Sequence, residues 1–110
     1  IPQQFSLMFW LRLRDGLPDT RILALTGTGK LVLEYDRRVG EFQLIGSDGI
    51  YVRTTISFLP NDCIAVGIVQ EAAVRRLFLY SLSGDVYAEA SASARPLRSF
   101  EQIIFSGNIR

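Results

Sequence analysis

The sequence contains no histidine and only one cysteine, Cys63, among its 110 residues. Without histidine the chain cannot by itself form an imidazole metal site, a Ser-His-Asp triad or a Cys-His dyad. A single cysteine excludes a disulfide within the chain. Because Cys63 begins an apolar run, we expect its thiol to be buried and unreactive.

Long hydrophobic runs and an excess of charge are also missing. No apolar run approaches the roughly 18 residues that a membrane-spanning helix needs. The 12 basic and 11 acidic residues leave a formal charge of +1, which provides no strong field to attract nucleic acid or anionic lipid. We therefore expect neither membrane insertion nor nucleic-acid binding.

The length is that of one domain with one hydrophobic core. We expect residues 1–110 to form a single domain. Because the first residue is Ile1 rather than methionine, we also expect this domain to belong to a longer protein.

Turn-forming residues recur along the chain about every eight to thirteen residues, which suits strands and leaves little room for helices. The segments between the turns are rich in β-branched and aromatic residues, which favour strands. The one candidate helix, Gln70–Arg76, is short and is better interpreted as a loop or a single turn. The pattern predicts an all-β fold of two antiparallel sheets. The predicted strands lie at about 5–13, 21–26, 30–36, 40–46, 50–58, 63–70, 76–82, 85–91 and 101–106.

Alternation along these segments predicts which side chains face the core. In the first strand the odd positions from Phe5 to Leu13 are all apolar and are expected to point inward. The segment Cys63–Val69 is apolar at every position, which is typical of a central strand covered on both sides. The small residues of Ala88–Ala94 indicate either close packing or a weak edge strand. The first strand's outward positions are Ser6, Met8, Trp10, Arg12 and Arg14.

Three segments follow one another as FSLMFWLRLRDGLPDTRILALTG, KLVLEYDRRVGEFQL and CIAVGIVQEAAVRRLFLYSLSGDVYAEASA, before a closing SFEQIIFSGN. In this order they resemble the laminin-G-like members of the concanavalin A-like lectin and glucanase superfamily. The first is similar to that family's early pair of strands, and the second to its Leu-x-Leu-x-Tyr hairpin. The third is similar to its Val-Ala-x-Val strand and the hairpin that follows. The resemblance implies a concanavalin A-like jelly roll, a sandwich of two β-sheets.

Two features depart from the family pattern. Asn61-Asp62-Cys63 stands where the family usually has a tryptophan and one or two histidines. The chain is also shorter than a complete laminin-G-like domain, so the terminal strands are expected to be reduced or missing. Missing strands would leave open sheet edges, which another subunit or a neighbouring domain would complete. The resemblance further implies an extracellular or surface-associated protein that binds a glycan or a protein ligand.

Acidic residues give weak signals for catalysis and for metal binding. Glu34 and Asp36 have the i, i+2 spacing of glucanase carboxylates, but two arginines follow them and no third acid accompanies them, so we predict a solvated strand end and no enzyme. Some laminin-G-like domains bind calcium at the rim through oxygen ligands. Asp48 and Asp62 are the candidate calcium ligands here, although both fall in predicted turns, where aspartate is favoured anyway. No other cofactor is expected.

A recognition site is predicted on the outer surface of the sandwich, because sugar-binding surfaces combine aromatic rings with a few directed polar groups. This pattern favours a non-catalytic recognition module of the lectin-like or adhesion type. Two alternatives remain: another domain or loops cover this surface, or the chain is a structural domain of an assembly such as a virion fibre, surface filament or scaffold. The candidate ligand-binding residues are Trp10, Arg12, Tyr51, Arg53 and Tyr80.

Overall fold

The computed structural model describes residues 3–12, 20–36, 38–56, 62–97 and 100–105. Within these ranges the chain forms nine strands, each matching one predicted strand, and no residue is helical. The described residues accordingly include no helix that could cross a membrane. The predicted strand positions Leu13, Arg14, 57–58 and 106 lie outside these ranges. The strands are β1 (Phe5–Arg12), β2 (Thr20–Gly27), β3 (Lys30–Asp36), β4 (Glu41–Gly46), β5 (Tyr51–Thr55), β6 (Cys63–Gln70), β7 (Val74–Ser81), β8 (Val86–Ser93) and β9 (Phe100–Phe105).

The strands form two antiparallel sheets that enclose one core between them. The four-stranded sheet has the order β1-β6-β7-β8, and the five-stranded sheet has the order β5-β4-β3-β2-β9. Most neighbours are consecutive in the chain, because a short turn can join two antiparallel strands. The prediction of an all-β, two-sheet antiparallel sandwich is confirmed.

The segment Gln70–Arg76 contains a tight turn and no helix. β6 continues to Gln70 and β7 begins at Val74. The N–H of Glu71 donates to the carbonyl of Val74 at 2.9 Å, which closes the hairpin. Helix propensity is overridden because strand pairing continues up to the turn, with Gln70 opposite Arg75.

Alternating side chains from both sheets build the core. In β4, β6 and β7 every second residue is buried, as expected where one face of a strand packs inward. The sheets close differently at their two edges. Alanines of β8 pack against the core opposite β5, so the small-residue segment is both an edge strand and a place of close sheet packing. The fully buried apolar side chains include Ile22, Leu23, Leu25, Leu33, Phe42, Leu44, Ile64, Ile68, Leu77 and Leu79.

A buried arginine links the two sheets. Arg75 of β7 is fully buried, and its guanidinium donates to both carboxylate oxygens of Asp48, in the β4–β5 turn, at 3.0 and 3.3 Å. It also donates to the Gln70 side-chain oxygen at 2.7 Å and to the Arg95 carbonyl at 3.2 Å. Bidentate pairing with several further acceptors is the arrangement in which burying an arginine is tolerated.

Gly46 makes room for this ion pair. A Cβ at Gly46 would lie 2.6 Å from Arg75 Nη1 and even closer to Asp48 Oδ1. Both atoms are held by their mutual hydrogen bonds. A glycine is therefore required where β4 ends.

We expect Arg75→Met to lower the free energy of unfolding by about 3 kcal/mol, because the Asp48 carboxylate loses its charged partner and keeps only the Ile50 N–H, and the Gln70 side-chain oxygen loses its Arg75 donor. Urea denaturation measures this change. Arg53→Met is the matched control, since Arg53 is exposed, and it should change stability by less than about 0.5 kcal/mol. Equal effects of the two substitutions would show that the buried ion pair does not stabilise the fold.

Candidate ligand-binding surface

Four side chains form a row across the outer face of the four-stranded sheet, one from each strand. Trp10 of β1 lies opposite Ala65 of β6. On the other side of β6, Ala65 lies opposite Tyr80 of β7, which in turn lies opposite Tyr87 of β8. Because directly paired residues share one face of an antiparallel sheet, Trp10 and Tyr80 flank Ala65, and Tyr87 extends the row beyond Tyr80.

The neighbouring row repeats this arrangement around a glycine. Met8 lies opposite Gly67, and Gly67 lies opposite Phe78. The Cβ atom of Phe78 is 3.4 Å from the position that a Cβ of Gly67 would occupy. The glycine thus lets the Phe78 side chain lie close to the backbone of β6, which is a known use of glycine within strands.

The small residues of β6 leave a shallow apolar groove of about 380 Å³ between larger side chains. This volume falls in the range of roughly 300–1,000 Å³ that is typical of small-ligand sites. Met8 is 76% exposed, and Trp10, directly beside the groove, is 57% exposed. We call this feature the aromatic groove, and its main lining residues are Met8, Ala65, Gly67, Phe78, Tyr80 and Tyr87.

The prediction that Cys63–Val69 is covered on both sides is wrong, because the groove lies over its outward face. Ile64, Val66 and Ile68 are fully buried in the core, but the outward residues of β6 remain half-buried. Part of that burial comes from the larger side chains on β1 and β7 beside them. A small apolar residue can lie at the surface without a covering layer. The hydrophobic pattern alone could not distinguish such a residue from a buried one.

Polar groups border the groove along β7 and β8 and in the turn between them. The phenol of Tyr80 donates to Asp85 Oδ1 at 2.7 Å, and the phenol of Tyr87 donates to Glu89 Oε2 at 2.8 Å. These hydrogen bonds raise the pKa of each phenol, so both remain neutral donors at neutral pH. The carboxylates retain lone pairs that can accept hydroxyl groups from a ligand. Arg76 lies 3.8 Å from Glu89 and adds positive charge at the same border.

The five predicted ligand-binding residues lie on two different surfaces. Trp10, Arg12 and Tyr80 belong to the outer face of the four-stranded sheet. Tyr51 and Arg53 belong to β5, at the edge of the other sheet, where the Arg53 guanidinium lies 5.8 Å from the Tyr51 ring centre. The alternation correctly placed all five away from the core, but they do not form one platform. Alternation assigns a side chain to a face without saying which sheet that face belongs to.

Sequence reasoning did not include Phe78 or Tyr87 in the site. Both were detectable in principle, since Phe78 has the same parity as Tyr80 in one strand and Tyr87 lies on the next. The sequence did not indicate that Ala65 and Gly67 form the floor of a groove. Small residues form a floor only when larger side chains on the paired strands stand beside them, and the pairing was not known.

The two candidate calcium ligands are engaged by protein donors. Asp48 accepts from Arg75 and from the N–H of Ile50, at 3.1 Å. Asp62 accepts from the hydroxyl of Ser81 and, at 3.1 Å, from the N–H of Ser83. Among the described residues no three acidic or cysteine side chains cluster as metal ligands would.

The other groups singled out in the sequence have local partners. Glu34 lies 3.6 Å from Arg21, and Asp36 lies 3.4 Å from Arg38. Cys63 is half-buried rather than buried, and Arg12 Nη2 donates to its sulfur at 3.4 Å. It opens β6 on the outward side, where no second sheet covers it.

Comparison with protein-family models, with curated proteins and with solved structures gave no match.

Acid should destabilise this fold through two aspartates. The hydrogen bond from Ser81 lowers the pKa of Asp62. Burial alone would raise the pKa of Asp48, but the hydrogen bonds from Arg75 and Ile50 and the charge of Arg75 lower it overall. A carboxyl group with a lowered pKa in the folded state stabilises the fold above its unfolded pKa of about 3.9. That contribution is lost as the pH falls through the folded value.

We therefore expect the free energy of unfolding to decrease as the pH drops below about 4. Asp62→Asn should remove part of this dependence, because the amide does not titrate. Urea denaturation at a series of pH values measures both slopes. Identical acid dependence in the two proteins would contradict the assignment of Asp62.

Proposed function

We propose that this chain is a non-catalytic recognition module of the laminin-G-like kind, and that it binds a glycan through the aromatic groove. The observation that carries the proposal is the row of Trp10, Tyr80 and Tyr87 beside the exposed small residues of β6. Large exposed apolar surfaces on soluble domains commonly mark interaction sites. A surface or extracellular location belongs to the same proposal.

The chemistry of the groove suits a sugar. The apolar C–H faces of a sugar ring stack on aromatic side chains, and its hydroxyls need directed acceptors and donors nearby. The Asp85 and Glu89 carboxylates, each already positioned by a tyrosine phenol, supply acceptors at the border of the groove. A protein ligand would use the same apolar surface, with Met8 as an adaptable contact.

We expect Trp10→Ala to weaken ligand binding about tenfold, since a stacked aromatic ring contributes up to about 1.5 kcal/mol beyond the apolar area that it buries. The free energy of unfolding should stay within about 1 kcal/mol of the wild type, because the Trp10 ring is 57% exposed. A glycan array identifies a ligand, and titration calorimetry with that ligand compares the proteins. Thermal shift provides a second readout, because a ligand that binds only the folded state stabilises it.

Tyr51→Ala is the matched control. Tyr51 is 51% exposed, close to the value for Trp10, but it lies on the other sheet. We expect this variant to bind as the wild type does. Equal losses in both variants, or a loss of several kcal/mol in the stability of Trp10→Ala, would overturn the proposed site.

A second function, a structural domain in a larger assembly, is favoured by one specific observation. β1 is an edge strand with few features that prevent another strand from joining it. Failure to bind any glycan, together with self-association of the isolated chain, would favour this function.

A further inference from the structure

The four edge strands of the sandwich differ in how well they resist pairing with another chain. β8 carries Glu89, β5 has only five residues and carries Arg53, and β9 carries Glu101 and an irregular register against β2. Charges, short length and irregular pairing are the usual means of protecting an edge. β1 has no charge or proline from Phe5 to Leu11, and its eight residues pair with β6 without a bulge.

The hydrogen bonds of the sheet show which backbone groups of β1 point to its open edge. The N–H of Leu82 donates to the Cys63 carbonyl, so the backbone groups of Cys63 point toward β7 and away from β1. Arg12, opposite Cys63, is therefore in a non-hydrogen-bonded pair with β6. Backbone groups alternate along a strand. The N–H and C=O groups of Ser6, Met8, Trp10 and Arg12 consequently point to the open edge.

Exposed apolar side chains are concentrated on this side of the sandwich. Of the ten large apolar residues that are exposed in the described part of the chain, two lie on β1 and three on β9. The two strands are neighbours across the core, since the ring centres of Phe9 and Phe105 lie 5.5 Å apart. Phe5 and Phe100 make a similar edge-to-face contact at 5.9 Å. Within the described part of the chain, both sheets thus present an unpaired apolar edge in the same direction.

We infer that β1 pairs antiparallel with β1 of a second copy of this chain, with Phe9 on the two-fold axis, to form a continuous eight-stranded sheet. In this register Met8 lies opposite the partner subunit's Trp10, and Ser6 lies opposite the partner subunit's Arg12. Each residue whose backbone groups point to the open edge then lies opposite another such residue. The two residues of each pair can therefore exchange N–H to C=O hydrogen bonds in both directions.

The same register makes β1 complementary to itself. No like charges face each other, because Arg12 meets a serine. The sulfur of Met8 meets an indole ring, a favourable contact that occurs twice by symmetry. Across the core, the apolar residues of β9 approach those of the partner subunit and lose exposure as well. Because β1 matches a second β1 in length and in charge, and an unrelated strand need not match it, we propose a second copy of this chain as the partner.

Dimerisation would place two aromatic grooves side by side on one face. β1 forms one wall of each groove, and a two-fold axis perpendicular to the sheet keeps both outer faces on the same side. A repetitive ligand could then engage both sites with an effective concentration advantage. The pairing itself does not depend on what the groove binds.

Sedimentation equilibrium of the 110-residue chain tests the proposal. We expect the wild type to dimerise and Ser6→Lys to weaken the dimer about tenfold, because two like-charge pairs with Arg12 form by symmetry. Ser6→Glu should strengthen the dimer, since the same position then carries the opposite charge. Ser91→Lys is the matched control, because Ser91 lies in the same row on the opposite edge strand. It should leave the dimer unchanged.

The four proteins should share one far-ultraviolet circular dichroism spectrum, so that association is compared between folded chains. A wild type that stays monomeric up to its solubility limit would overturn the proposal. So would equal weakening by Ser6→Lys and Ser91→Lys, or weakening by Ser6→Glu as large as that by Ser6→Lys. Glycan titration of the wild type, at concentrations where sedimentation shows only monomer, reports on the groove separately, so failure of the dimer and failure of ligand binding remain distinguishable.

Discussion

The separation of large from small side chains along β6 is the constraint on which both the fold and the site depend. Ile64, Val66 and Ile68 fill the core, whereas Ala65 and Gly67 face outward. A register slip of one residue would expose the isoleucines and bury the small residues, so the pairing of β6 with both neighbours is strongly specified. This register sets the aromatic rings of β1 and β7 on either side of the small residues, so the groove follows from the requirement that fixes the sheet.

The two ends of the sandwich are closed by different physical means. At the β5–β8 end, alanines allow close packing and the buried Arg75–Asp48 ion pair links the sheets. At the β1–β9 end, two edge-to-face aromatic pairs fill the space between the sheets. The β5–β8 end is closed by an ion pair and by closely packed alanines. The β1–β9 end presents apolar edge strands whose outer backbone groups are not paired with another described strand. The pairing with a second chain that we propose therefore falls on the β1 side.

Most of the fold could be predicted from the sequence, because period-two alternation and turn residues report directly on strands. The alternation in β1 correctly separated Phe5 and Leu11 from Trp10 and Arg12. The pairing of strands could not be predicted in this way, and it decides whether Trp10 and Tyr51 share a surface. Nor did the sequence indicate that Arg75 is buried, because a charged residue is expected to face solvent until a partner such as Asp48 is brought to it by the other sheet.

We propose that the outer face of the four-stranded sheet is a recognition surface whose floor is β6. Amide chemical-shift mapping with a glycan identified on an array tests this claim most directly, because it reports on every described strand at once. The largest shifts should fall on Ala65, Gly67 and their partners on β1 and β7. Shifts confined to β5 around Tyr51 and Arg53, or to the rim turns at Asp48 and Asp62, would contradict it.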